Sequence, residues 1–391
     1  MNMKYTPEPL FDDEYVNQPP AKRVLGYVQS KRDQGAAVAG LYCGYAPMEV
    51  IHAMDVVPAV LCAFSNDPIE SAEEHLPANL CPLIKSSYGF VINGTCPFYG
   101  LADVVIAETT CDGKKKMFEL MSHIKPLYVM DLPQVPEETE AREEWKSMIL
   151  KVKSFIEAHT GKTASDDMIE SSIRESNRKN RLMRNIFEFV AIHPPVISWS
   201  EMYDIVFIAM AAKGDGILTL LENIIAKLEK RVETGYQYGN ENSPRIMVTG
   251  CPVGGDALKI FKIIEELGGV VTVLDACTGM KAFMDEIEEN TGDPVGAIAE
   301  RYLRIPCSCM TPNERRLSEM DKVIEKFKPD AVIDFVLHAC HAYSIESYKV
   351  GEHVKSTHNI PFLKIITDYS DGDTEQITTR VQALFESIHK Q

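Results

Sequence analysis

The fold of this chain is decided by the stretch DAVIDFVLHACHAYSIESYKVGEHVKSTHNIPFLKIITDYS, residues 330–370. Its apolar run DAVIDFVLHAC predicts a strand, the segment that begins with HAYSIES predicts a helix, and IPFLKIITDYS predicts a second strand. A helix between two such strands is typical of a parallel βαβ unit. The same alternation precedes this stretch. The predicted strand RIMVTG is followed by the helix GDALKIFKIIEELGG, and the predicted strand VVTVLDACTG is followed by the helix PNERRLSEMDKVIEKFKP. After the stretch, DTEQITTRVQALFESIHK predicts a closing helix.

The first third of the chain repeats this pattern, and the middle does not. VVPAVLCAF (56–64), DVVIAETT (103–110) and KPLYVMDLP (125–133) predict strands, whereas 137–235 has apolar residues at helical spacing only. We therefore predict an α/β protein with two doubly wound parallel-sheet, Rossmann-like lobes joined by a helical segment. The expected boundaries are 1–136, 137–240 and 241–391.

The composition of the chain argues against some classes of binding partner. The chain has 391 residues, and its formal net charge of −17 disfavours nucleic acid and anionic membranes, which require a basic surface. No apolar run approaches the ~20 residues that cross a bilayer. The N-terminal stretch MNMKYTPEPLFDDEYVNQPP is acidic and rich in proline, unlike a signal peptide. We expect a cytoplasmic protein.

Ten cysteines are the informative feature of the composition. In a reducing compartment a disulfide framework is not expected, so metal ligation competes with simple burial. Four cysteines follow predicted strands, where ligands gather in open parallel sheets: Cys111, Cys251, Cys277 and Cys340. Since a helix follows Cys111 and Cys340 directly, we expect the helix dipole to lower the pKa of these thiols.

The lysines of DGKKKM after Cys111 either support a thiolate or only solvate the helix. The remaining cysteines differ in setting. Loops rich in glycine or proline contain Cys43, Cys81 and Cys96; a C-x-C pair contains Cys307 and Cys309. Cys62 lies in the apolar run VVPAVLCAF and is predicted to be a core residue. Because no C-x₂-C is present, the spacing alone matches neither a zinc ribbon nor a ferredoxin.

Two stretches resemble phosphate-binding loops superficially. In HTGKT (159–163), Ile156 stands where a P-loop requires its first glycine, and the context is helical, so we reject a nucleotide site there. GCPVGG (250–255) follows a strand and precedes a helix, where it could hold an anion. Close helix–strand packing is our preferred reason for its glycines.

Long motifs around the cysteines resemble the 2-hydroxyacyl-CoA dehydratase/benzoyl-CoA reductase superfamily. They are GLYCGYAPME (40–49), NLCPLIKSSYGF (79–90), CPFY (96–99), VVIAETTCDGKKKM (104–117), VTGCPVGG (248–255), CSCMTPNERRL (307–317) and LHACHAYSIES (337–347). The resemblance covers nearly the whole chain beyond about residue 35, and the double-cubane cluster proteins are the more similar branch.

This resemblance implies an iron–sulfur cluster. Dehydratase subunits hold one [4Fe–4S] cluster through cysteines that correspond to Cys81, Cys111 and Cys340. The double-cubane branch holds an [8Fe-9S]-type cluster, which implies three further ligands. The candidates are Cys43, Cys96 and one or both of Cys307 and Cys309, with Cys309 preferred within the pair; Cys251 and Cys277 stay open as substitutes.

The resemblance also implies function and partners. We expect an oxygen-sensitive reductase of small molecules that receives electrons from an ATP-hydrolysing iron–sulfur activator protein and pairs as a homodimer. The alternatives are an (R)-2-hydroxyacyl-CoA dehydratase subunit with a single cluster, and a non-enzymatic thiol or zinc protein. Proton donors are sought at Glu49, His341 and Tyr343, and also at His52, one helical turn from the Cys43 loop.

Overall fold

The computed structural model describes residues 7–11 and 19–388. Its N-terminal lobe contains one parallel sheet in the order β2-β1-β3-β4, built from β1 (Ala37–Leu41), β2 (Val56–Val60), β3 (Val104–Glu108) and β4 (Leu127–Met130). The helices of this lobe are α1 (Pro20–Asp33), α2 (Met48–Ala53), α3 (Ile69–Ala72), α4 (Pro82–Ile92), α5 (Pro97–Leu101) and α6 (Asp112–Met121). All pairings in the sheet are parallel.

The C-terminal lobe contains a second parallel sheet in the order β6-β5-β7-β8. Its strands are β5 (Arg245–Gly250), β6 (Val270–Asp275), β7 (Ala331–Leu337) and β8 (Phe362–Thr367). Every residue of β7 is buried, as expected for a central parallel strand covered on both faces. The helices of this lobe are α11 (Lys259–Glu266), α12 (Pro294–Leu303), α13 (Glu314–Phe327), α14 (His341–His353) and α15 (Thr374–Ile388).

Four long helices lie between the two sheets in sequence: α7 (Ala141–Thr160), α8 (Asp166–Ala191), α9 (Trp199–Ala211) and α10 (Asp215–Glu233). Their ends have identifiable caps. Ser165 accepts a hydrogen bond from the amide of Met168, and Ser198 forms a capping box with Glu201. Gly161 ends α7 in the left-handed conformation, so the HTGKT stretch is a helix terminus and not a phosphate loop.

The predicted fold class is confirmed, with two sheets of four parallel strands amid helices. Several elements were not predicted: the strand β1, the helix α12, and the N-terminal helices α1, α3, α4 and α5. The strand β1, AVAGL, is short and contains glycine and alanine, which give little β signal. The helix α12 was missed although Val295, Ile298 and Tyr302 are buried on it at helical spacing.

The two lobes contact each other through the loops that follow their strands. The amide of Asp256 donates to the carbonyl of Phe64 at 2.8 Å. A Cβ on Gly255, whose φ is +48°, would lie 2.4 Å from that carbonyl oxygen, and one on Gly254 would lie 2.7 Å from the Phe64 ring. Gly254 and Gly255 therefore serve close packing between the lobes, whereas a Cβ on Gly250 would meet Phe335 of β7 in the same lobe. None of the helices in the described ranges is both long and apolar enough to cross a membrane.

Candidate functional site

Cysteines follow three neighbouring strands of each sheet, the two central strands and one edge strand. In the N-terminal lobe Cys62, Cys43 and Cys111 come within three residues after β2, β1 and β3. In the C-terminal lobe Cys277, Cys251 and Cys340 come within three residues after β6, β5 and β7. In each sheet the chain reverses its winding direction at the middle pair of strands, and ligands bind at such switch points in open α/β sheets. The predicted strand-end positions of Cys111, Cys251, Cys277 and Cys340 are confirmed.

The first thiol group joins the two lobes and consists of Cys81, Cys340 and Cys251. The Cys81 thiol lies within hydrogen-bonding reach of Cys340, which in turn lies within reach of Cys251. The amide of Leu337 donates to Sγ of Cys251 at 3.4 Å. We call these three residues the Cys81 group.

We expected the helix dipole to lower the pKa of Cys340, and this prediction is wrong. Cys340 caps α14, yet its pKa is raised, chiefly because its proton is held by the neighbouring Cys251 sulfur. Cys81 caps α4, and its hydrogen bond to Cys340 likewise raises its pKa, although the amides of Leu83 and Ile84 oppose this. The hydrogen bonds between these thiols therefore raise the pKa values more than the helix N-termini lower them, because they stabilise the protonated thiol.

The second thiol group also joins the two lobes and is formed by Cys43, Cys277, Cys307 and Cys309. Cys43 interacts electrostatically with Cys277 and Cys307, and Cys277 with Cys307. The Cys309 thiol donates to Cys307, which lowers the pKa of Cys307 to about 5 and raises that of Cys309. We call these four residues the Cys43 group. Burial raises the pKa of Cys43, and raises that of Cys277 to about 11.

Lys114 is the cation that the thiols of the N-terminal lobe share. Its Nζ donates to the carbonyl of Tyr42 at 3.1 Å. Burial lowers the pKa of this ammonium, but the sulfurs of Cys62, Cys43 and Cys111 raise it further, so the net direction is upward. Of the three lysines in DGKKKM, only this one faces the thiols.

The other two lysines of DGKKKM are solvated. Lys115 pairs with Asp112 at 3.0 Å, and Lys116 pairs with Glu119. Lys115 is 49% exposed, and Asp112, Lys116 and Glu119 are each more exposed than that. The lysine run therefore combines one residue of the site with two residues of the helix surface.

Cations of the C-terminal lobe lie behind the Cys43 group. Lys281 and Arg316 both help to lower the pKa of Cys307. Lys281 pairs with Asp275 at 3.3 Å, and Arg316 pairs with Glu346 at 3.0 Å. These buried cations favour thiolates, which are the form that binds metal.

Three further cysteines are outside the two groups, although Cys62 interacts electrostatically with Cys277 and Cys81. Cys111 is exposed, caps α6 and is near Lys114. Cys96 caps the short helix α5, and its sulfur accepts from the amide of Tyr99 at 3.3 Å. Cys62, predicted in the core, packs against it but also lines a cavity, and its thiol donates to the Tyr42 carbonyl at 3.0 Å.

A cavity of about 140 Å³ opens beside the thiols, between the lobes and α8. Its wall contains Cys43, Cys62, Cys277 and Lys114, together with Glu49, His52 and Lys179. Glu49 is buried and accepts hydrogen bonds from Ser176 at 2.7 Å and Tyr302 at 3.0 Å.

The predicted proton donors occupy different environments. Glu49 lines the cavity, whereas His341 is exposed in the first turn of α14. Tyr343 is buried; burial raises the pKa of its phenol, as do Cys307 and Cys277 nearby. His52 lines the cavity, and burial together with Lys179 and Lys213 holds its pKa well below the usual range.

Besides Lys281 and Arg316, two further charged residues of the site were missed from the sequence. Glu108, at the end of β3, is fully buried, and burial raises its pKa to about 8. Lys179, on α8, donates to the carbonyl of Ala212 at 3.1 Å, and burial lowers its pKa to about 8. Glu108 could have been noticed in the sequence, because a carboxylate within the apolar run VVIAE indicates a buried charge. A lysine within the polar sequence of α8 gave none.

Comparison with known proteins identifies relatives over nearly the whole chain. A family model described as 2-hydroxyglutaryl-CoA dehydratase, D-component, matches residues 43–388. The chain is 39% identical over 362 residues to "Putative dehydratase subunit YjiM" of Escherichia coli (strain K12), covering 92% of this chain and 94% of that protein.

More distant relatives have two different activities in their names. Identity is 21% to the lactoyl-CoA dehydratase subunit beta of Anaerotignum propionicum, over 92% of this chain and 93% of that protein. Identity is 18% to a benzoyl-CoA reductase subunit of Thauera aromatica, over 88% of this chain and 89% of that protein.

Proposed function

The chain belongs to the 2-hydroxyglutaryl-CoA dehydratase D-component family, and we propose that it is an iron–sulfur reductase with a double-cubane [8Fe-9S]-type cluster. The observation that supports this most directly is the presence of two thiol groups, each with cysteines from both lobes. A protein that held one cubane through three cysteines would need only one such group.

The donor set fits the cofactor. Iron–sulfur clusters are held by thiolates, and all ten cysteines are free. We propose that Cys81, Cys111 and Cys340 hold one cubane, as the resemblance implies. For the second we propose Cys43, Cys277 and Cys307, because each of these interacts with the other two.

This ligand set departs from the sequence-based set in two positions. Cys277 replaces Cys96, whose sulfur caps α5. Cys307 is preferred over Cys309, because the Cys309 thiol donates to Cys307 and also lies 3.9 Å from the hydroxyl of Tyr45. Cys251 touches Cys340 and is the reserve ligand of the first group.

The chain's own residues would prepare the site for electron transfer. When bound, such a cluster supplies electrons at low potential. Lys114, Lys281 and Arg316 offset the negative charge of the thiolates in a buried setting, where each charge acts strongly. Exposed Cys111 marks the side from which an ATP-hydrolysing activator protein would deliver electrons.

The cavity favours a small substrate. Its volume of about 140 Å³ lies below the roughly 300–1,000 Å³ of pockets that bury larger organic ligands. Lys179 is the proposed proton donor, since its pKa of about 8 leaves it protonated and able to transfer a proton near neutral pH. Glu49 would provide a polar group in the cavity wall, and the hydrogen bonds from Ser176 and Tyr302 would fix its position.

Metal analysis after anaerobic purification tests the proposal. About eight irons per chain with acid-labile sulfide is the expected result, and reduction with titanium(III) citrate should then produce a paramagnetic signal. Zinc alone, or no metal, would contradict the iron–sulfur assignment and favour a thiol or zinc protein. We further propose that the protein acts in the cytoplasm as a homodimer.

The second candidate is an (R)-2-hydroxyacyl-CoA dehydratase subunit with one [4Fe–4S] cluster. It is favoured by the relative named lactoyl-CoA dehydratase subunit beta. It predicts about four irons per chain and a different partner subunit. The second thiol group argues against it, because a single cubane leaves the Cys43 group without a role.

A further inference from the structure

A cluster of metal-binding side chains lies on the C-terminal lobe, separate from the cysteines. Nε2 of His353 and Nε2 of His358 each lie 2.6 Å from the same carboxylate oxygen, Oδ1 of Asp321. One ligand atom from each of the three residues falls within 4.8 Å of the others. The three side chains are between 13% and 33% exposed, so a small ion can reach them from solvent.

An unusual helical turn creates this cluster. His353 ends α14, and Val354–His358 continues it as a turn of π-helix. In a regular α-helix residues five apart point about 140° away from each other, since each residue turns by about 100°. The wider π turn, with its bonds between residues five apart, returns His358 to the same side as His353. Asp321 meets both from α13.

The side chains suit a transition metal. Two imidazoles and one carboxylate, with a position left for water, form the ligand set of many zinc sites. Calcium and magnesium prefer oxygen ligands, so two imidazoles disfavour them. The other nitrogen of His353, Nδ1, lies 3.4 Å from the hydroxyl of Thr357, the kind of outer contact that orients a ligating histidine.

We propose that Asp321, His353 and His358 bind one divalent transition-metal ion, with Zn²⁺ as its first occupant. Binding would replace the protons now shared with the carboxylate, so that each Nε2 offers its lone pair to the metal. The ion would tie the end of α14 to the middle of α13. Since Cys340 is the N-cap residue of α14, the site would anchor the helix that follows a proposed cluster ligand.

Titration of the full-length protein tests this proposal independently of the cysteine cluster. The protein is purified anaerobically, stripped with a chelator and titrated with Co²⁺ and then Zn²⁺. The expected result is a visible absorption band of Co²⁺ without thiolate charge transfer, removed by one equivalent of Zn²⁺. The His353→Gln and His358→Gln variants should each bind at least about 100-fold more weakly, the upper end of the loss seen even for outer-shell changes.

His159→Gln is the control, because His159 is also a helical histidine but is exposed, and its Nδ1 bonds only to the Phe155 carbonyl. Unchanged binding in this variant supports the assignment. A Co²⁺ spectrum with thiolate character only, or equal binding by wild type and both variants, would overturn it. If a variant fails to fold, the wild-type spectrum alone still decides whether nitrogen and oxygen ligands hold the ion.

Discussion

Lys114 Nζ and Cys62 Sγ both donate hydrogen bonds to one acceptor, the carbonyl of Tyr42, at 3.1 Å and 3.0 Å. Tyr42 immediately precedes Cys43, so this carbonyl places a buried cation between cysteines that follow three different strands. The arrangement explains why a lysine can remain charged in a buried site: the neighbouring sulfurs stabilise the ammonium more than burial destabilises it.

Replacing Lys114 by methionine should lower the reduction potential of the bound cluster. Reduction adds negative charge, and removal of a buried cation makes that step less favourable. Anaerobic redox titration of Lys114→Met, followed by electron paramagnetic resonance, would measure the shift. Lys116→Met is the control on the same helix, because Lys116 is exposed and pairs with Glu119. Equal potentials in the two variants would contradict the role of Lys114.

Alanine substitutions should separate ligands from neighbouring thiols. We expect Cys277→Ala and Cys307→Ala to lose about half of the iron or more, since each removes a ligand of the proposed second cubane. Cys309→Ala and Cys96→Ala should retain wild-type iron, and they serve as matched controls. Iron and acid-labile sulfide, measured after identical anaerobic preparation, give the answer. Full iron in Cys277→Ala would return Cys96 to the ligand set.

The stability of the protein should depend on Lys179 at alkaline pH. Burial lowers the folded-state pKa to about 8, whereas an unfolded lysine titrates near 10.4. Between these values the unfolded state binds more protons, so the free energy of unfolding rises with pH. Relative to Lys179→Met, wild type should gain about 2–3 kcal/mol from pH 7 to pH 10.

Urea midpoints of the cluster-free, reduced protein at pH 7 and pH 10 provide the measurement. Lys151→Met is the control, because Lys151 is exposed on α7. The control should follow wild type at both pH values. A pH-independent difference between Lys179→Met and wild type would show that Lys179 is ionised in the folded protein as it is in the unfolded chain.

Gly255→Ala should weaken the contact between the lobes. At φ +48° a Cβ would lie 2.4 Å from the Phe64 carbonyl oxygen, so backbone must move. Gly94→Ala is the control, since Gly94 also has positive φ, +65°, but faces open space. We expect Gly255→Ala to be less stable than Gly94→Ala by about 1–3 kcal/mol in thermal unfolding. Equal destabilisation would mean that conformational strain, and not the lobe contact, determines the effect.

Much of the fold could be predicted, because helix and strand patterns are local. The strand RIMVTG was predicted with the bounds of β5, and the middle of the chain was predicted helical where α7 to α10 lie. The family resemblance drawn from the cysteine motifs is confirmed by the match over residues 43–388. The strand β1 was missed because three of its five residues are alanine or glycine, which are uncommon in strands.

The site could be predicted only in part. Cys340 and Cys251 were both expected at strand ends, but nothing in the sequence indicates that their thiols touch. Cys62 looked like a core residue because its neighbours are apolar, yet it lines the cavity. Lys179 comes from a helix distant in sequence and has no motif of its own.

The sequence by itself determined that the chain forms parallel α/β lobes and that cysteines follow their strands, since both depend on neighbouring residues. Tertiary structure decided which thiols face each other. The two sheets have the same strand order and contact each other through the loops after their strands, which brings Cys43 beside Cys307 and Cys81 beside Cys340. That pairing depends on how the surfaces of the two lobes fit together, a packing relationship that no local pattern of residues encodes.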